Sequence, residues 1–146
     1  MSASGVAALD HTIQETNVWL KTLAEELHFA DRHHAYSALR AVLHALRDRL
    51  PPEGAVHLGA QLPIVIRGLY YEGWRMGKPT ADHNVQQFAE HVRKQLPPQF
   101  PLDPLTVTNG VFKLLWERID PGESAKVIDH LPQALRTLWP HIARRD

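Results

Sequence analysis

The sequence contains no cysteine, which excludes disulfide frameworks, thiolate zinc sites, iron–sulfur clusters and cysteine nucleophiles, and suits a reducing cytoplasm. It also lacks a surplus of charge: 16 Lys and Arg stand against 16 Asp and Glu, with the 10 histidines neutral. A protein that holds nucleic acid by bulk electrostatics needs basic residues in excess to neutralise phosphates and release counterions, so nucleic acid is a disfavoured partner. The two halves differ little in this respect, with 6 basic and 8 acidic residues in 1–74 and 10 and 8 in 75–146. No apolar run approaches the roughly 18 residues that a membrane-spanning helix needs, so no membrane partner is expected. The opening stretch has no basic segment and is interrupted by Asp10 and His11, and residues 1–12 read as a flexible tail. Outside that tail the only serines are Ser37 and Ser124. Neither lies in a nucleophile elbow, and no glycine-rich phosphate loop is present, so no catalytic residue and no cofactor is predicted.

What the sequence has in abundance is helical periodicity. Ile13, Leu20, Leu23, Ala24 and Leu27 recur at steps of three, four or seven, with Lys21, Glu25 and Glu26 between them, the pattern of an amphipathic first helix. Asp31 can cap a second helix whose buried stripe is Leu39, Val42, Leu43, Leu46 and Leu50. Pro52 and Pro63 suit the starts of a third and a fourth helix, where a missing N–H costs nothing. Gly73–Pro79 reads as a turn-rich connection, and Thr80 or Asp82 is expected to cap the helix after it.

The second half then resembles the first. A shift of 69 positions superposes residues 38–70 on 107–139, with identities at Val42/Val111, Leu46/Leu115, Arg49/Arg118, Pro52/Pro121, Leu62/Leu131, Pro63/Pro132, Arg67/Arg136 and Leu69/Leu138. Leu43/Phe112, Leu50/Ile119, Ile66/Leu135 and Tyr70/Trp139 keep apolar character. The expected architecture is therefore an all-α compact bundle of about eight helices, built from two pseudo-symmetric four-helix repeats. The domain would span residues 13–143, with repeat one at about 13–74, a linker at 75–80 and repeat two at about 81–143. A unit of about 60 residues buries only about 60% of its unfolded surface, so the repeats should share one core.

The run from Ala41 to Glu53, then His57–Pro63 and Arg67–Trp74, resembles the DUF2267 family of bacterial proteins, and Leu131-Pro132 with Arg136–Trp139 is similar to that family's C-terminal half. The likeness covers about residues 13 to 140. It implies a small helical bacterial protein and supplies no catalytic residues.

Several side chains are candidates for function. His83, Gln87 and His91 fall at steps of four along one expected helix, the best local metal grouping, though the two histidines are two turns apart and a third ligand would have to come from elsewhere. No metal is predicted. Arg67 and Arg136 each stand four residues after a Leu-Pro helix start. They fit either two related anion-binding groups or two braces that tie an acidic side chain or a helix-end carbonyl, and bracing is favoured because both halves carry the residue. Tyr70, Tyr71 and Trp74, with Trp139 at the aligned position, form an aromatic end. Five consecutive positions cannot all face one helix side, so part of this cluster is expected at a rim where aromatics anchor a partner; packing between the repeats is the competing role. The functional expectation is a non-enzymatic, cytoplasmic interaction module with a protein partner or a second copy of itself. The alternative is a small-molecule or anion-binding domain, enzymatic or not, with its site in the groove between repeats near Arg67, Arg136 and Tyr71.

Overall fold

Prolines and side-chain caps divide the chain into its elements. The computed structural model describes residues 3–143, which hold eight α-helices and no strand. These are α1 (Ala7–Leu27), α2 (Arg32–Arg49), α3 (Pro52–Gly59), α4 (Ile64–Tyr71), α5 (Val85–Gln95), α6 (Pro104–Arg118), α7 (Pro121–Asp129) and α8 (Gln133–Arg136), followed by a 3-10 turn at His141–Ala143. Asp31 caps α2 by accepting from the His34 N–H at 3.1 Å, and Asp103 does the same for α6 from Thr106 at 3.0 Å. Pro52, Pro104 and Pro121 occupy first-turn positions, where the lost N–H would have had no intrahelical acceptor.

Two boundaries differ from those read in the sequence. Helix α1 begins at Ala7 rather than near Ile13, so half of the expected tail is helical; residues 1 and 2 lie outside the described residues. Its start is held by Asp10, which accepts from the Ser4 N–H at 3.1 Å and the Ser4 hydroxyl at 2.8 Å and places a negative charge in the first turn, at the positive end of the helix dipole. The cap of α5 is Asn84, accepting from the Gln87 N–H at 2.9 Å, and not Thr80 or Asp82. Asp82 is engaged elsewhere.

Helix α2 lies at the centre, in contact with α1, α4, α5 and α6, and α1 also lies against α6. One core runs through both halves of the chain. Val42, Leu46, Leu62, Ile66 and Tyr70 are wholly buried or nearly so, as are Val111, Leu115, Leu131, Leu135 and Trp139. Leu69 is half-buried whereas Leu138 is buried. Helices α3 and α7 meet, and the His57 ring of α3 is hydrogen-bonded to the Glu123 carboxylate of α7. Helix α8 is half the length of α4, because Pro140 disfavours helical backbone at the residue before it and Thr137 turns its hydroxyl back to the Ala134 carbonyl at 2.7 Å.

Candidate functional site

The C-terminal end of α4 leaves carbonyls without intrahelical donors, and α2 supplies those donors from one face. Arg40, His44 and Arg47 follow one another at steps of four and three. Arg47 is buried, 5% exposed, and its Nη1 donates to the carbonyls of Tyr70 and Glu72 at 2.8 Å each. Its Nε donates to the Asp48 carboxylate at 2.9 Å. Burial pushes the His44 imidazole below its ordinary value, against the opposing effect of the Leu69 carbonyl, so the ring is neutral and Nε2–H donates to Leu69 O at 2.7 Å. Arg40 pairs with Glu72 at 3.0 Å. Positions 69 further on hold Asn109, Lys113 and Trp116, so this row of two arginines and a histidine belongs to the first half alone.

The segment that follows is laced to the end of α2. The Thr80 N–H donates to Asp48 O at 2.8 Å, and Arg49 Nε donates to Asp82 O at 2.7 Å. His91 of α5 lies between two carboxylates, with Nε2 3.6 Å from Asp48 and Nδ1 2.9 Å from Asp82. Asp48 and then Asp82 raise the His91 imidazole above its ordinary value, outweighing partial burial. Burial would raise the Asp48 carboxyl, but the His91 and Arg47 donors outweigh it and hold it below the usual carboxylate range. The result is an imidazolium clip between α2, the linker and α5. Both ring nitrogens of His91 are directed at carboxylates, which leaves neither lone pair for a metal, and among the described residues no group of three acidic or histidine side chains has a metal-holding arrangement. His83 precedes α5 instead of lying on it; its N–H donates to the Gln87 side chain at 2.7 Å, so the expected helical spacing of the two histidines does not exist.

Between the end of α2, the start of α3 and the linker lies a cleft of about 220 Å³, with Arg47, Asp48 and Pro52 on one wall and Trp74, Arg75 and Lys78 on the other.

The aromatic end is mostly inside. Tyr70 is wholly buried and its hydroxyl donates to Ala55 O at 2.6 Å. Tyr71 is half-buried, with its phenol against Gly59 of α3, where a methyl group in place of the glycine hydrogen would overlap the ring. Trp74 is half-buried and tilted on Tyr71, with ring centres 5.6 Å apart. Trp139 is buried in the other half and stacks on Phe112 at 4.4 Å. The rim is thus Trp74 with the edge of Tyr71.

The two arginines nominated by the sequence brace the chain. Arg67 Nη2 donates to Leu62 O at 2.9 Å and Ala60 O at 3.3 Å. Arg136 Nε donates to Leu131 O at 3.0 Å and its Nη2 to Asp129 O at 3.2 Å. The accepting carbonyls are themselves 69 positions apart. Each guanidinium closes the corner where one short helix ends and a Pro-started helix begins, a corner poor in donors because proline has no N–H. Both guanidinium groups bond carbonyls and not the carboxylates of Asp48, Glu53, Glu117 or Glu123.

A second surface feature was not foreseen. Leu9 and Ile13 lie on the same face of α1 as Leu20, Ala24 and Leu27 further along, yet they are 48% and 49% exposed while the latter three are buried. Val6, which caps the helix, is also exposed. The Val65 N–H donates to Thr12 Oγ1 at 3.3 Å, which sets the start of α4, with Ile64 and Val65 exposed, alongside this stretch. The signal was present in the sequence as an apolar row that starts before the first helix was expected to.

No described helix is long and apolar enough to cross a membrane. The family model described as "Uncharacterized conserved protein (DUF2267)" matches residues 16–138. No curated protein matches the chain.

Proposed function

The chain belongs to the DUF2267 family, and we propose that it is a non-enzymatic interaction module of the bacterial cytoplasm that associates with a second copy of itself. The observation that carries this reading is the uncovered aliphatic face of Leu9, Ile13, Ile64 and Val65, a continuation of the buried row of α1 past the body of the bundle. The face has no charged side chain among these four residues, so a two-fold axis through it sets apolar surface against apolar surface without repulsion, as an isologous contact requires.

The strength follows from the exposure. Complete burial of such a side chain contributes about 1.5–3 kcal/mol, and with about half of each already covered the remainder is about 1 kcal/mol each. Eight side chains across the axis give about 8 kcal/mol, against at least about 4 kcal/mol for lost rigid-body freedom. The surplus is at most about 4 kcal/mol, which corresponds to a dissociation constant of about 1 mM at its tightest. Sedimentation equilibrium up to about 1 mM protein should show a dimer that the double substitution Leu9→Glu, Ile13→Glu removes without lowering the melting temperature. A wild-type chain that remains monomeric over that range, or a double variant that dimerises equally, refutes self-association through this face.

A further inference from the structure

We propose that the cleft between the end of α2 and the linker binds a phosphate monoester. The argument starts from charge. Arg47, at the back of the cleft, is already matched by Asp48, whose carboxylate also faces the imidazolium of His91. Arg75 and Lys78 on the opposite wall are exposed, and among the described residues neither has an acidic partner or a hydrogen-bond acceptor. The cleft therefore presents two uncompensated positive charges, and a phosphate monoester carries about −1.5 to −2 near neutral pH, where a carboxylate carries −1.

Shape agrees with that assignment. Helix α3 starts at this wall with Pro52 as its first residue, and Glu53 in its first turn offsets the positive end of the helix dipole, so the field of the cleft is set by the two side chains. Trp74 lines the same cleft and is supported from behind by Tyr71, which leaves indole surface for the organic part of the ester. A volume of about 220 Å³ equals roughly seven waters at about 30 Å³ each, enough for a phosphate and a small ring. The clip that shapes the cleft is tied to α2 and α5, so the site is framed by packed helices on one side and by the linker on the other.

The proposal does not depend on the aliphatic face, and its test uses the whole chain. Phenyl phosphate, inorganic phosphate and benzoate serve as probes, with tryptophan fluorescence and calorimetry as readouts and Trp74→Phe to assign the fluorescence change. The expected result is saturable one-site binding of phenyl phosphate, weakened by added salt, with inorganic phosphate weaker for want of the ring and benzoate weaker by at least about tenfold for want of the second charge. The double substitution Arg75→Gln, Lys78→Gln should keep the melting temperature, because both side chains are exposed, and should weaken phenyl phosphate binding by at least about tenfold. Absence of saturable binding up to about 10 mM, far above a useful affinity, overturns the proposal. So does unchanged affinity in the double variant, or benzoate binding as tightly as phenyl phosphate.

Discussion

Replacing each bracing arginine by methionine, which keeps the apolar stem and removes the guanidinium, distinguishes a structural role from a binding one and tests the geometry at both corners. Each arginine makes one half-buried and one exposed hydrogen bond to carbonyls. A hydrogen bond from a charged donor contributes about 1.5–3 kcal/mol when water is excluded, and the exposed one contributes little because water replaces it. Arg136→Met should therefore cost about 2–3 kcal/mol. Arg67 differs in one respect: it spends Nη2 on both carbonyls, and its buried Nε has no acceptor among the described residues. Removing it relieves a desolvated donor worth about 1–3 kcal/mol, so the net cost of Arg67→Met falls to about −1 to 2 kcal/mol. At about 2–4 °C per kcal/mol for a chain of this size, Arg136→Met should melt about 2–12 °C below Arg67→Met. Calorimetry and urea unfolding on both variants check the order. Equal melting temperatures, or a larger loss at Arg67, refute the reasoning about the idle Nε, and two variants as stable as the parent would return both arginines to the surface as free cations.

Two further outcomes follow from the packing. Leu46→Ala and Leu115→Ala, both wholly buried and 69 positions apart, should each cost about 2–5 kcal/mol by urea unfolding; a loss under about 1 kcal/mol at either would deny that both halves share one core. The His91 clip should give a pH-dependent contribution. Its imidazole is raised in the folded chain, so its share of stability is fully present below about 6.5, the ordinary value, and is lost as pH rises through the raised one; the lowered Asp48 adds stability above about 3.8 that is lost on further acidification. The difference between parent and His91→Gln in urea midpoint should be greatest between about pH 4 and 6.5 and shrink toward pH 9, and a difference that grows with pH would invert the assignment.

How much of this was legible in the sequence depends on the kind of interaction. Elements set by local chemistry were plain: Asp31 caps α2, Pro52 and Pro63 mark the starts of α3 and α4, and the buried rows of α2 follow the three-and-four spacing. The aligned aromatic pair was also informative, since Tyr70 and Trp139 both lie in the core. What escaped was set by long-range pairing. Asp82 could not be separated from a helix cap without knowing that His91 would reach it. Arg47 stands four after Leu43 and three before Leu50, on the apolar stripe itself, and that misplaced charge was the only trace of its role at the end of α4.

The agreement and disagreement between the two halves bear on where function resides. Most aligned identical or apolar positions are spent on the core, the helix starts or the corner braces, while Arg49 and Arg118 bond Asp82 O and Thr22 Oγ1. The uncovered groups stand where the correspondence stops. Helix α5 has 11 residues against 21 in α1, so Leu9 and Ile13 have no counterpart at the start of α5. Ile64 and Val65 sharpen the point, because the second half has Gln133 and Ala134 at those positions and all four residues are exposed. A position that stays in water in both halves does not need an aliphatic side chain for the core, so the choice of isoleucine and valine in one half alone is explained by what that half must meet outside itself.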